Sequence, residues 1–246
     1  MVAVGSRALV ILPLHNEATK SKHLCRELTK ACRKFTKVTF MVVDDGSTDG
    51  TAAVLRQGLK GLDQVRVMAF PENGGKGRVV RLAFSRAKHD FLIFMDGDLA
   101  YSFDHLKPML VALKKADVVI GSRSMIPQPQ GGLPARRAFL GWAFNRLACI
   151  IFGFDYPDTQ AGLKGFTHAA AQKIFSRQRI DDFAFDAELL YLARKLHLKV
   201  VQIPAEVCGT HTYKTSKVKL LKDSLRCLKD FWLVRWWSWT GGYNLP

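Results

Sequence analysis

Five short apolar runs recur along the first half of the chain, and each ends in a polar cluster. The runs are Ala8–Leu12, Val38–Val43, Val65–Ala69, Phe91–Met95 and Val118–Ile120. Each is short and apolar at nearly every position, as expected of a strand buried on both faces of a parallel sheet. Longer segments with helical spacing lie between the runs, one of them marked by Leu24, Leu28, Ala31 and Phe35. This alternation predicts an α/β fold, with a Rossmann-like, mostly parallel sheet flanked by helices. In such sheets, ligands bind outside the carboxyl ends of the strands.

The polar clusters fall at those ends. Pro13, His15, Asn16 and Glu17 follow the first strand, and DDGSTDGT, Asp44 to Thr51, follows the second. ENGGKG, Glu72 to Gly77, follows the third; Asp96 and Asp98 follow the fourth; GSR, Gly121 to Arg123, follows the fifth. A turn or a helix cap explains one such cluster, but capping alone does not explain five on one edge.

Asp96 and Asp98 are separated only by Gly97. Two carboxylates so placed repel each other unless a cation lies between them. Mg²⁺ commonly combines one or two carboxylates with substrate phosphates. The pair therefore suggests a metal-bound diphosphate, with a plain turn as the alternative. Asp44 and Asp45 suit hydrogen bonds from a nucleobase N–H or ribose hydroxyls, while Thr48 or Asp49 suits the cap of the next helix. ENGGKG reads as an anion-binding loop in which Lys76 adds charge. It lacks the full Gly-x-x-x-x-Gly-Lys-Ser/Thr pattern, which disfavours an ATPase.

Lysine and arginine number 37 against 21 acidic residues, a net charge of +16 over 246 residues. That balance favours anionic partners. No RNP-type aromatics and no zinc-finger spacing occur, so nucleic acid is not the expected partner. The five cysteines are odd in number and form no Cys-x-x-Cys pair, which predicts reduced thiols in a cytosolic setting. The N-terminus makes a poor signal peptide, and no run approaches the ~20 apolar residues that span a bilayer. The chain is expected to be soluble or to lie on a membrane surface.

The second half is more mixed. MIPQPQGGLP, Met125 to Pro134, reads as a mobile loop. Arg136 to Phe154 is apolar but broken by Arg146 and Gly153, and fits either a core helix or an interfacial amphipathic helix. Asp158 to Phe166 reads as a polar loop leading into another element. Phe183 to Ala193 reads as a helix with Asp186 and Glu188 at its start, and Lys199 to Val207 as a strand pair. A basic loop precedes a last helix, with Val218, Leu221, Leu225, Leu228 and Trp232 on one face. Trp232, Trp236, Trp237 and Trp239, beside Lys229 and Arg235, suit either core packing or a membrane interface.

The motifs LPLHNE, VVDDGSTDGT, NGGKG, FMDGDLA, GSR, DTQAGLK, FAFDAELL and TSKV, in this order, resemble family 2 glycosyltransferases with a GT-A fold. They look most like polyprenyl-phosphate (dolichyl-phosphate) hexose synthases. DTQAGLK and FAFDAELL look closer to the glucosyl branch than to the mannosyl branch. The resemblance covers roughly Ala8 to Lys217. It implies a catalytic domain over residues 1–217, with 218–246 as an amphipathic helix of the same domain that could associate with a membrane.

The resemblance also implies residue roles. Pro13, His15, Glu17, Val43 and Asp45 would line the nucleotide pocket, with Lys76 contributing to the nucleotide-sugar site. Asp96, Gly97 and Asp98 would hold the donor diphosphate, with Asp96 and Asp98 as ligands of Mg²⁺ or Mn²⁺. Arg123, Arg137 and the Lys214–Lys217 loop would face phosphates of donor or acceptor. Asp158, Gln160 and Lys164 would lie near the sugar and the acceptor, and Asp186 joins Asp96, Asp98, Asp158 and Arg123 among the catalytic candidates.

The implied reaction is transfer of a hexose, with inversion, from UDP-glucose or GDP-mannose to polyprenyl phosphate on the cytoplasmic face of a membrane. A phosphate monoester has its second pKa around 6, so this acceptor arrives ionised and needs no strong base. The alternative is transfer to a glycan hydroxyl, with Asp158, Asp186 or Glu188 taking the proton. Three departures from the family pattern stand out. His15 replaces a frequent Tyr. Ala100 stands where mannosyl members often place a metal-ligating Gln. The sequence ends at Pro246 without the transmembrane helices that many members append.

Overall fold

A computed structural model describes residues 7–126, 135–153, 155–156, 158–208 and 220–244. Among these, seven strands form one sheet: β1 (Ala8–Leu14), β2 (Val38–Asp45), β3 (Val65–Phe70), β4 (Phe91–Met95), β5 (Val118–Ser122), β6 (Leu163–Thr167) and β7 (Val200–Pro204). Their spatial order is β3-β2-β1-β4-β6-β5-β7. β6 runs antiparallel to both its neighbours, and the other pairings are parallel. The helices are α1 (Ala18–Lys34), α2 (Thr51–Gly58), α3 (Lys76–Ser85), α4 (Leu106–Ala112), α5 (Ala135–Phe152), α6 (His168–Phe175), α7 (Phe185–Lys195) and α8 (Leu220–Trp239).

Side chains alternate across a strand, so each apolar run feeds two cores. Ala8, Val10 and Leu12 of β1 pack with Leu24 and Leu28 of α1, Leu55 of α2 and Leu106 of α4. Leu9 and Ile11 pack on the other face with Val79 and Phe84 of α3, Ile174 of α6 and Leu189 of α7. Burying one such side chain is worth about 1.5–3 kcal/mol. Every position of the strand is therefore apolar for a reason.

The topology fixes where ligands can bind. After β1 the chain builds outward through β2 and β3, then returns to place β4 on the other side of β1. The carboxyl ends of β1 and β4 thus flank a topological switch point. β6 then enters antiparallel, with Leu163 opposite Met95. Its reversed direction puts the preceding loop, 158–162, at the same edge as the end of β4.

Two expectations need correction. Lys199 to Val207 contains one strand, β7, not a pair. The sheet pairing stops at Pro204, which lies opposite Ser122, and one further bond from Ala205 N–H to the Ser122 carbonyl closes it. In α8 the buried face carries Phe231 and Val234, whereas Trp232 is 65% exposed. Phe231 meets Phe152 of α5 edge-on at 5.0 Å, and this contact sets the rotation of a helix whose C-terminal half carries apolar residues on more than one side. Val218 lies outside the described residues, as do the side chains of Leu221 and Leu225. α5 packs on the core through Ala148 and Phe152, while Trp142 and Ile150 are exposed. Of the expected loop Met125 to Pro134, only Met125 and Ile126 are described, and the rest lies outside the described residues.

The C-terminal segment is tied to the core through Glu188, which is fully buried. Glu188 accepts hydrogen bonds from Arg179 N–H (2.9 Å), Ile180 N–H (2.8 Å) and the Tyr243 hydroxyl (2.7 Å). Burial pushes its pKa up, against the pull of these three donors. Among the described residues, no helix is long and apolar enough to cross a membrane.

Candidate active site

The carboxyl edge is organised by hydrogen bonds between turns that the sequence keeps far apart. His15 follows β1, and its Nδ1 lies 2.7 Å from the Asp45 carbonyl. A carbonyl only accepts, so Nδ1 carries the proton and Nε2 accepts from the Asn16 amide at 3.0 Å. Asn16 has left-handed backbone geometry (φ 54°), a conformation Asn adopts more readily than most residues. Its N–H donates to Ser47 Oγ, and its side-chain oxygen accepts from Thr48 N–H. Asp44 accepts from the Ser47 hydroxyl. Asp49 accepts from Ala18 N–H and Thr51 N–H, tying the starts of α1 and α2 together. Pro13 and Glu17 are half-buried at this edge, and Val43 is buried in β2.

The glycine-rich loop does hold an anion, but the anion is internal. Gly74 N–H and Gly75 N–H donate to the two carboxylate oxygens of Asp45, at 2.8 and 2.9 Å. The backbone donors expected to cradle a phosphate are thus used by a side chain of the protein. Gly75 takes a φ of +92°, and a Cβ there would strike the Asp181 carbonyl, so both conformation and space demand glycine.

Asp96 and Asp98 follow β4. Asp96 N–H donates to the Gly162 carbonyl at 2.9 Å, locking the end of β4 to the loop before β6. A Cβ on Gly97 would meet the Pro13 carbonyl and the Leu14 side chain. Asp98 accepts from Ala100 N–H at 3.0 Å. Lys76, the first residue of α3, places Nζ 2.6 Å from Asp96 Oδ1 and 3.7 Å from Asp186 Oδ2. Lys164, fully buried in β6, places its own Nζ 2.5 Å from Asp186 Oδ1 and 2.8 Å from the Ala161 carbonyl. The result is a chain of alternating charge: Asp96, Lys76, Asp186, Lys164. Burial alone would lower the Lys76 pKa, but Asp96 and Asp186 outweigh it and hold it above the ordinary range. For Lys164 burial wins, and its pKa falls below the usual lysine value despite Asp186.

Arg123 and Asp158 form a second ionic unit. Arg123 N–H, Nε and Nη2 donate to the Asp158 carboxylate at 3.0, 2.7 and 2.8 Å. Burial would raise the Asp158 pKa, but the Arg123 bonds and charge overcome it and hold the carboxyl below its ordinary value. Beside it, Gln160 Nε2 is buried with no hydrogen-bond partner among the described residues. Arg137 lies in α5, with its side chain outside the described residues. Lys214 and Lys217 lie outside them altogether.

The donor set at Asp96 and Asp98 is all oxygen, which fits Mg²⁺ or Mn²⁺. No group of three or more His, Cys, Asp or Glu side chains that could hold a metal occurs among the described residues. A cation here would therefore need further oxygens from substrate or water. Asn145 was not singled out from sequence. It holds the 158–162 loop from α5, accepting from Thr159 N–H (2.8 Å) and Thr159 Oγ1 (2.6 Å). Its one signal is a lone amide in an apolar helix.

Comparison with known proteins follows the same lines. The sequence model of a family described as Glycosyl transferase family 2 matches residues 9–175. A dolichyl-phosphate beta-glucosyltransferase of Drosophila melanogaster is 32% identical over 213 residues, covering 79% of this chain and 64% of the relative. The Mus musculus protein of that name is 30% identical over 253 residues, covering 96% and 77%. One from Trichomonas vaginalis is 29% identical, and the chain spans 62% of its length. Among solved structures, glucosyl-3-phosphoglycerate synthase of Mycobacterium tuberculosis aligns with a TM-score of 0.65 at 17% identity, covering 98% of this chain and 82% of that one. Mannosyl-3-phosphoglycerate synthase of Rubrobacter xylanophilus aligns at 0.65 and 18%, covering 98% and 77%. These likenesses show the fold, which is GT-A.

The Arg123–Asp158 unit yields a stability prediction. A carboxyl with a depressed folded pKa stabilises the fold above its unfolded value, about 3.9. That contribution is lost as pH falls through the folded value. Asp158→Asn is expected to lower stability by about 1–3 kcal/mol at neutral pH, with the gap to wild type closing as pH drops below about 4. Denaturant melts across pH measure it.

Proposed function

The chain belongs to glycosyl transferase family 2, and from that premise we propose that it transfers a hexose from a nucleotide-diphosphate sugar to a polyprenyl phosphate at a membrane surface. The observation that carries the choice of acceptor is the state of the carboxylates. A hydroxyl acceptor needs a base, and the three candidates are all engaged. Asp158 is clamped by Arg123. Asp186 lies between Lys164 and Lys76. Glu188 is fully buried and bonded to Tyr243. An acceptor that arrives ionised fits such a site, and a phosphate monoester with a second pKa around 6 is one.

In the proposed reaction an oxygen of the acceptor phosphate attacks the anomeric carbon as the bond to the nucleotide diphosphate breaks, in one inverting displacement. A divalent cation held by Asp96 and Asp98 would supply neutralisation of the charge that builds on the departing diphosphate. Lys76 lies beside Asp96 and adds positive charge at the same place. Gln160 has a buried N–H to offer a sugar hydroxyl or a phosphate oxygen. The relatives named dolichyl-phosphate beta-glucosyltransferase favour glucose, and so UDP-glucose, as donor.

The membrane reading rests on α8. Trp232, Trp236 and Trp239 are spaced four and three residues apart and are 65%, 57% and 62% exposed, so they share one outward face. Arg235 lies over the Trp239 ring at 5.1 Å. Tryptophan favours the headgroup level, and basic charge favours anionic lipid. The site would then work at the cytoplasmic face of the membrane.

Two outcomes are expected. With Mn²⁺ or Mg²⁺ and a short polyprenyl phosphate, the purified protein moves sugar from UDP-glucose into the lipid fraction, and does so more than from UDP-GlcNAc, UDP-galactose or GDP-mannose. Nucleotide release that depends on a glycan acceptor instead, with no lipid product, would move the enzyme to hydroxyl acceptors. Replacing Trp232, Trp236 and Trp239 together by Ala is expected to abolish flotation with anionic vesicles while leaving the fold intact by circular dichroism. Unchanged flotation would remove α8 from the membrane reading.

A further inference from the structure

Lys76 is placed against local helix energetics. It is the first residue of α3, whose first turn contains no acidic residue, and a cation at a helix N-terminus opposes the macrodipole. The surrounding backbone is fixed, because Gly77 N–H and Arg78 N–H both donate to the Asp181 carbonyl, at 2.7 and 3.2 Å. From this anchor the ammonium reaches into the carboxyl edge. It lies 5.3 Å from the Phe94 ring centroid and 5.4 Å from that of Phe185, with Asp96 and Asp186 as its anionic contacts. Asp98 adds to its field.

Its nearest anionic contact is Asp96, one of the two carboxylates assigned to the metal. Asp96 Oδ1 is 2.6 Å from Nζ, so a second cation on that carboxylate would sit close to the ammonium and repel it. The protein offers few other ligands, since no set of three metal-binding side chains occurs among the described residues. Asp186, in contrast, is within reach on the far side of Lys76 and is itself held by Lys164. It provides a place for the ammonium to lean when Asp96 is needed elsewhere.

We propose that Lys76 is a resident counter-cation that keeps free divalent ions off Asp96 and Asp98, and that it yields the site only to a metal accompanied by a nucleotide diphosphate. This rests on the assignment of Asp96 and Asp98 as the metal donors. The diphosphate brings oxygen ligands for the metal and anionic charge for Lys76, so the ammonium trades one Asp96 contact for a phosphate oxygen and Asp186. No proton moves; the lysine is an ammonium throughout. Metal and nucleotide binding are then strongly coupled, and the free protein is insensitive to the ambient divalent ion.

The test measures Mn²⁺ binding by the loss of the aqueous Mn²⁺ EPR signal, on the full chain, alone and with UDP or GDP in separate arms. Wild type is expected to bind Mn²⁺ at least about tenfold more tightly with one of the nucleotides than without. Lys76→Met and Lys76→Gln, checked for folding by thermal melts, are expected to bind Mn²⁺ alone about tenfold more tightly than wild type, with the nucleotide effect correspondingly reduced. Two results would overturn the proposal: wild type binding Mn²⁺ equally well with and without nucleotide, or folded Lys76 variants whose Mn²⁺ affinity does not rise. Asp98→Asn separates the failures. If nucleotide-dependent Mn²⁺ binding is lost in Asp98→Asn but Lys76→Met changes nothing, the metal site stands and the counter-cation role falls. If Asp98→Asn has no effect on any Mn²⁺ binding, the metal assignment itself fails, and the role of Lys76 with it.

Discussion

Carboxylates crowd the carboxyl edge of this sheet, and each must be neutralised by a specific partner. A carboxylate taken from water without one would retreat to its protonated form. Asp45 is met by two backbone N–H groups, Asp96 by the Lys76 ammonium, Asp186 by Lys164 and Lys76, and Asp158 by the Arg123 guanidinium. Each pairing also joins separate elements. Asp45 ties β2 to the loop before α3. Lys76 ties α3 to β4 and α7. Arg123 ties the end of β5 to the loop before β6. The charge pattern is therefore also the assembly pattern of the edge.

That arrangement decides the chemistry the site can do. Lys76, Lys164 and Arg123 are committed to protein carboxylates, and those carboxylates are committed in return. What a substrate would meet there is the pair at the end of β4 with Lys76 beside it, the buried amide of Gln160 and the positive balance of the chain. The carboxylates that could serve as a base there, Asp158, Asp186 and Glu188, are all paired. Topology brings the site together: only because β6 is antiparallel do Asp158, Gln160 and Lys164 reach the end of β4.

Much of the fold could be read in the sequence because a strand covered on both faces is apolar throughout, as Phe91–Met95 is. The family could be read because eight short motifs occur in one order. Partnerships across long sequence distances could not. DDGSTDGT and ENGGKG each look like a ligand loop, yet Asp45 from the first fills the N–H groups of the second, 29 and 30 residues away. The resemblance implies a place for Lys164 near the sugar and the acceptor, but its position in a buried central strand makes Asp186 of α7 its partner. The face of α8 was also illegible. Its C-terminal half carries Phe231, Trp232, Leu233, Val234, Trp236, Trp237 and Trp239, so periodicity admits more than one buried side, and the contact with Phe152 makes the choice.

The central claim is that no protein carboxylate acts as a base, because each candidate is already paired. The most direct measurement is the pH dependence of kcat/KM with a polyprenyl phosphate acceptor and saturating donor. The account predicts a rise that follows the second ionisation of the acceptor phosphate, around pH 6, and then a plateau through mildly alkaline pH. A further ionisation on that limb, belonging to the enzyme and removed by Asp158→Asn or Asp186→Asn, would contradict it.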